Sequence, residues 1–438
     1  MLGRPSGIFN VRYEQDSALY RTRVDWGWGL FVLGVLLALP LLTRQGLFGN
    51  DAPLSVALIG ILTRAWITII AVTGLNLLLG YTGQVSLGHA AFIMVGAYTS
   101  QALVDQLGLS FWLALPLAAL LTGLVGVLFG LPALRVRGFY LAMTTLAAQF
   151  MIPWFITTYQ GSWFEGLLWE RAVPALCILG GLALGLRQAT QQTANRGTLA
   201  RAMQISLGVV AGVLLGLFIS QLHRLDLGGA TGKTVSPPTI NLPGLVDWRL
   251  NTNLSMYYVA LVSLIIMAGA ARNLVRSHIG RALISVRDNE LAAEQLGINV
   301  FRYKLLAFFL AAVYAGVAGS LQAHSAQSIS PSAFDLERSI LLVGMLIIGG
   351  VGFPLGPSFG VLFFVSMNDL IIPQVRPWLR DQLPNLVTFV DPANLDPALL
   401  PMLFGATLIL FLIFEPRGLA YRWLLLQVAW RLRPFIRS

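Results

Sequence analysis

Long apolar runs separated by short polar interruptions make up this chain, and no stretch keeps a two-residue alternation. Runs of that kind predict helices that cross a membrane. About 20 apolar residues at 1.5 Å each span the hydrocarbon, and lipid forces every backbone polar group to find its partner inside the segment. Barrel strands would alternate in and out, which this sequence does not do. The pattern places spans near 26–43, 54–79, 88–103, 111–131, 140–159, 172–186, 203–222, 254–271, 305–322 and 399–414. A further apolar run, 340–365, is broken at GGVGFPLGP and reads as two segments or a re-entrant pair. The fold class is therefore all-α, a polytopic membrane protein with about 10–12 transmembrane helices, some broken or re-entrant.

Composition strengthens this and removes alternatives. Of 438 residues, 56% are hydrophobic and 11% charged, with a mean hydropathy of +0.73; soluble domains carry about 25% charge. In a soluble protein a net charge of +10 would point to nucleic acid. Here the basic residues sit between spans, which is the positive-inside pattern. It puts both termini in the cytoplasm, with Arg417, Arg422, Arg431, Arg433 and Arg437 on the last segment. Cys177 is the single cysteine and lies in an apolar run, so no internal disulfide forms. The first apolar run has no small-residue cleavage site and reads as an anchor rather than a removable signal.

Two polar interruptions carry candidate chemistry. In the first, GYTGQVSLGHAAF, glycines at 80, 83 and 88 permit bends and close helix approach. Gln84, Ser86 and His89, with Asn76 earlier in the same run, are candidate substrate-pathway residues; the alternative is that they bond to neighbouring helices. A similar glycine-punctuated break, VGFPLGPSFG at 351–360, reads as a weak internal echo. The second interruption, Gly280–Lys304, predicts a short helix with Asp288 as N-cap, Glu290 in the first turn and Gly297 closing it in left-handed geometry. Leu291, Ala292, Ala293 and Leu296 give it an apolar side, and Glu290, Glu294 and Gln295 surround that side. A capped helix in a basic cytoplasmic loop is a surface for another protein to grip.

Other features have plainer readings. Arg64 inside the second span faces a partner or a wet cavity. Asp335, Glu337 and Arg338 form a mixed-charge face. His223, His278 and His324 are isolated, and no metal is assigned. GATGKT imitates the end of a phosphate-binding loop, but the glycine required five residues before Gly232 is Leu227. The chain therefore carries no nucleotide site of its own. With no Asp or Glu in the middle of any span, an ion-coupled secondary transporter is disfavoured. An intramembrane enzyme would need a partner for His89 that the sequence does not supply.

Four segments in order, GLNLLLGYTGQVSLGHAAFIMVGAYTS, LPALRVRGFYLAMTTLA, GRALISVRDNELAAEQLGINVFRYKLLAF and the closing EPRGL, resemble the LivM-type permease of branched-chain amino-acid ABC importers. The resemblance covers about Gly74 to Leu419. It implies an inner-membrane permease that is not an enzyme and holds no cofactor, ATP being bound by partner subunits only. The implied partners are a second, LivH-like permease, two cytoplasmic ATPase subunits and an extracytoplasmic substrate-binding protein, with no nucleic acid. Family likeness assigns ATPase coupling to Asp288, Glu290, Ala293, Glu294 and Gly297. The chain departs from the family where LGGATGKTVSPP, which is similar to the family's outer loop, arrives late and holds Thr231 and Lys233 in place of an acidic core. That divides the chain into a cytoplasmic segment 1–25, a first membrane half 26–160, an inserted helical hairpin 161–222 and an extracytoplasmic loop 223–253. A second membrane half follows at 254–414, including a coupling loop at 272–304, and a basic cytoplasmic tail at 415–438. Branched-chain or other neutral amino acids are the expected cargo, with urea or amides as the alternative.

Overall fold

The computed structural model describes residues 23–44, 52–133, 140–158, 232–242, 246–249, 253–374 and 392–432. The chain divides into two compact units, Met1–Pro153 with Thr234–Ser438, and Trp154–Lys233. The spans expected at 172–186 and 203–222 lie outside the described residues.

In the first unit the helices are α1 (Arg23–Arg44), α2 (Ala52–Leu75), α3 (His89–Gln101) and α4 (Phe111–Ala133), and α5 (Tyr140–Thr158) runs from it into the second. They continue as α6 (Asn253–Arg276), α7 (His278–Asp288), α8 (Glu290–Gln295) and α9 (Val300–Ala326). The last four are α10 (Leu336–Gly349), α11 (Gly356–Ser366), α12 (Pro392–Phe414) and α13 (Leu419–Leu432). A small antiparallel hairpin pairs Thr239–Leu242 with Val246–Arg249 before α6.

Among the described residues, five helices are long and apolar enough to cross a membrane: Ala57–Gly80, Phe111–Pro132, Asn253–Arg276, Val300–Ala326 and Gly356–Gln374. A sixth arises if Met402–Phe414 and Leu419–Gln427, bent by 44°, form one span. The stretch read as a tail thus begins with a helix. The apolar run 340–365 is indeed broken, giving α10 and α11 as an antiparallel pair. They approach so closely that a Cβ at Gly360 would strike the Met345 carbonyl.

Helix α9 is the centre. Its small residues, Ala307, Ala311, Ala312, Ala315, Gly316, Ala318 and Gly319, are all buried. Lipid gives helices no hydrophobic reason to associate, so close backbone approach supplies the attraction. A Cβ on Gly96 of α3 would lie 2.5 Å from Gly316, and one on Gly126 of α4 would lie 2.5 Å from the Ala312 methyl. Longer side chains tie in the periphery. Tyr314 donates to the Met267 carbonyl at 2.7 Å, and Tyr257 to the Leu36 carbonyl at 2.9 Å.

Candidate functional site: two helix breaks and the loop that reaches them

Helix α2 does not end cleanly. It widens into a π turn, Asn76–Gly80, and gives way to an irregular stretch, Gly83–Gly88, before α3 starts at His89. Widened turns of this sort recur at functional sites. The broken start of α3 leaves N–H groups that other helices satisfy. Ala90 N–H donates to Ser339 Oγ at 3.0 Å, and Ala91 N–H to Gln149 Oε1 at 3.1 Å. Ser339 Oγ in turn donates to Gln149 Oε1 at 2.8 Å, and Gln149 Nε2 donates to the Phe334 carbonyl at 2.7 Å. Thr145 Oγ1 accepts from Leu87 N–H at 3.0 Å.

The second break lies directly against the first. Asn76 Oδ1 accepts from Gly352 N–H at 2.8 Å while its Nδ2 donates to the Phe353 carbonyl at 2.9 Å, across 276 and 277 positions of chain. Gly80 faces Gly352 so closely that a Cβ there would sit 2.6 Å from the Gly352 nitrogen. Gly83 and Gly352 both adopt positive φ, +70° and +79°, which side chains with a Cβ resist.

The four pathway candidates therefore separate. Asn76 and His89 are engaged with backbone, His89 Nε2 lying 2.9 Å from the Ala71 carbonyl. Gln84 and Ser86 are buried, and neither Gln84 amide atom nor the Ser86 hydroxyl has a hydrogen-bond partner among the described residues. A buried polar atom without a partner costs about 1–3 kcal/mol, so its presence asks for an explanation.

The loop helix also differs from expectation. Asp288 is not its N-cap, because α7 runs on through Asp288 and the chain turns only at Asn289. Asn289 is extended (φ −161°, ψ 111°), and its side chain accepts from Ala292 N–H at 3.1 Å. Asp288 instead accepts from Arg287 Nε and Nη2 at 3.0 and 2.9 Å. That contact aims Arg287, whose Nη1 donates to the Gly80 carbonyl at 2.8 Å. Arg287 thus links the loop to the first break. Gly297 does close α8 with φ +80°, and Ile298 N–H bonds back to the Ala293 carbonyl at 3.0 Å. Of the apolar side only Ala293 is buried, against Val286 and Val300. Leu291 and Leu296 point outward, 60% and 78% exposed. Glu290 is ion-paired with Lys304, and Glu294 is exposed.

Arg64 lines an open cavity and is paired with an acidic residue from another helix. Its Nη2 lies 3.2 Å from Asp369 Oδ2. The apolar run expected to end at 365 extends further, because α11 continues through a π turn, Met367–Ile371, and the span Gly356–Gln374 therefore takes in Asp369 near its C-terminal end. Both groups line an open cavity of 760 Å³. A second cavity of 570 Å³ lies at the other end of α2, bordered by Thr73, Asn76, Tyr81, Arg272 and Arg276. His324, read as isolated, lies between Ser100 Oγ at 3.0 Å and the Ser236 carbonyl at 2.9 Å. No cluster of three metal-ligating side chains occurs among the described residues. Lys233 and Thr234 are extended, whereas a phosphate-binding loop would open a helix there.

Residues 57–412 match the family described as branched-chain amino acid transport system / permease component. The chain belongs to that family. This permease is 29% identical to the high-affinity branched-chain amino acid transport system permease protein LivM of Escherichia coli (strain K12), over 82% of its own length and 69% of that protein's. The LivM of Salmonella typhimurium gives the same identity and coverage. The guanosine ABC transporter permease protein NupQ of Bacillus subtilis is 26% identical over 50% of the permease and 70% of NupQ. No solved structure matches significantly. The permease is accordingly a LivM-type ABC transporter permease and a multi-pass membrane protein, related to transport proteins rather than to enzymes.

Proposed function

We propose that the permease carries branched-chain or other neutral amino acids across a bacterial inner membrane, driven by ATP hydrolysis on partner subunits. The observation that carries the substrate is the likeness to LivM over most of the chain. The partners are a second, LivH-like permease, two cytoplasmic ATPase subunits and an extracytoplasmic binding protein. Both termini and the 272–304 loop face the cytoplasm, and 161–222 is an inserted hairpin; the separate compact unit at Trp154–Lys233 supports that division.

The ATPase grips the segment from Asp288 to Gly297. What supports this is the outward-facing pair Leu291 and Leu296 on a helix held at both ends, by Asn289 and by Gly297. Large apolar side chains in water are a sign of a partner when they sit together on a rigid element. Force applied there passes through Arg287 to the Gly80 carbonyl and so to the breaks. No covalent chemistry is involved in the permease itself; Gln84 and Ser86, buried and without partners among the described residues, are the pathway groups at the moving break.

The test is uptake of radiolabelled L-leucine by cells carrying the complete transporter, with co-purification of the ATPase as a second readout. Glu290→Lys with Glu294→Lys, or Leu291→Ser with Leu296→Ser, leaves the permease expressed but abolishes uptake and ATPase retention. Unchanged uptake in both double variants removes the coupling role. Uptake of urea but not of any amino acid by the wild type would overturn the substrate.

A further inference from the structure

We propose that the cavity around Arg64 and Asp369 is a zwitterion-binding station on the transport path, taking the α-carboxylate of the solute on Arg64 and its α-ammonium on Asp369. This rests on the amino-acid reading above and adds the site that reading lacks. An arginine within a membrane helix is costly and marks a pathway or a protein contact by default. Arg64 stands eight residues into the span Ala57–Gly80, roughly 10 Å along the helix. Asp369 stands in the π turn that widens α11.

The pair is open rather than sealed. The Arg64 side chain is 67% exposed and that of Asp369 18%, and one guanidinium nitrogen, Nη2, reaches one carboxylate oxygen, Oδ2. The other oxygen, Oδ1, accepts from Asn368 Nδ2 at 2.7 Å. Arginine is suited to holding a carboxylate by two parallel N–H donors, and here the fork faces a cavity. A second guanidinium, Arg338, borders the same cavity and is fixed by Gln322 Oε1 at 2.6 Å and the Ala333 carbonyl at 2.9 Å. Arg338 is itself opposed by Asp335, so Arg64 and Asp369 present one cation and one anion to the cavity, which favours a solute bearing both a carboxylate and an ammonium over a simple amine. Ile61 and Ile67 supply an apolar wall for a branched side chain. The 760 Å³ volume lies within the usual range for small-ligand sites, about 300–1,000 Å³.

A bare helix–helix clamp would need the same ion pair but no solute, so the experiment separates the two. In a Cys177→Ser, Ser325→Cys permease, assembled with its ATPase and binding protein in membrane vesicles, the cavity thiol is labelled with a membrane-impermeant thiosulfonate. L-leucine is expected to slow labelling, whereas 3-methylbutylamine and 4-methylpentanoate, each keeping one charged group, do not. Arg64→Gln and Asp369→Asn each lower leucine uptake about ten- to hundredfold, the loss of one charge-assisted bond. The neutral pair Arg64→Gln with Asp369→Asn, which can still bond across the two helices, does not restore it. Restored uptake in that double variant, or equal protection by the two half-molecules, means a clamp only and overturns the proposal. No protection while wild-type leucine uptake proceeds also overturns it but leaves the amino-acid reading standing. If wild-type vesicles take up no amino acid, that reading fails instead, and protection of the thiol by a non-zwitterionic solute would then sink the station as well.

Discussion

Replacing Asn76 by leucine tests whether this side chain builds the break or meets the solute. Leucine keeps the size and removes both amide functions. Gly352 N–H loses its acceptor at 2.8 Å and the Phe353 carbonyl its donor at 2.9 Å. Two polar backbone groups left bare in a dry interior would cost roughly 2–6 kcal/mol together. Gly352 and Phe353 are half-buried, so water relieves part of this, and about 2–4 kcal/mol is the expected loss. An unfolding entropy of about 2.1 cal/mol/K per residue, scaled to 438 residues, converts this to roughly 1 °C per kcal/mol. The detergent-purified variant should therefore melt about 2–4 °C below wild type. Leucine uptake should fall in the same variant, because the two breaks no longer move as one. Thermal unfolding followed by scattering or intrinsic fluorescence, beside transport in vesicles, reads both. An unchanged melting midpoint with lost uptake would refute the structural role and return Asn76 to the solute path.

Three further outcomes are expected. Gly319→Leu places a Cβ on the Ile93 carbonyl and should abolish recovery of monodisperse protein, whereas Gly405→Ala, with open space around it, should be recovered normally by size-exclusion chromatography. Arg287→Leu severs the contact with the Gly80 carbonyl; ATP hydrolysis in the assembled transporter should continue while uptake falls at least about tenfold, the worth of one charged hydrogen bond, and retained coupling would contradict the link. Gln84→Leu removes two buried atoms that have no partner among the described residues and should raise thermal stability by about 1–3 kcal/mol while uptake is lost. A stabilised variant that still transports would show that Gln84 does not touch the solute.

Much of the architecture was legible from local composition. Apolar length alone identifies helices such as α6 and α9, because the bilayer tests each segment separately and admits only those that satisfy their own backbone. Glycines mark both breaks, joined by Pro354 and Pro357 at the second, and Gly297 marks the end of α8, since left-handed backbone geometry is a property of a single residue. The N-cap of α8 is Asn289 rather than Asp288, two neighbouring residues that are both good caps. Only the run of α7 through Asp288 decides between them. The role of Asp288 changed with it, from capping a helix to aiming Arg287.

What composition and spacing determined about this permease was which segments are helices, where they break and which loop carries a separate helix. The tertiary structure alone decided which polar groups meet: Asn76 with Gly352, Arg287 with Gly80, Arg64 with Asp369. Each of those pairs joins residues hundreds of positions apart. No local rule reports such a meeting, because it depends on how α9 gathers the other helices around its small residues. The same packing leaves Gln84 and Ser86 buried without partners among the described residues and turns Leu291 and Leu296 outward, a distinction that a hydrophobic pattern, blind to the neighbouring helix, does not contain.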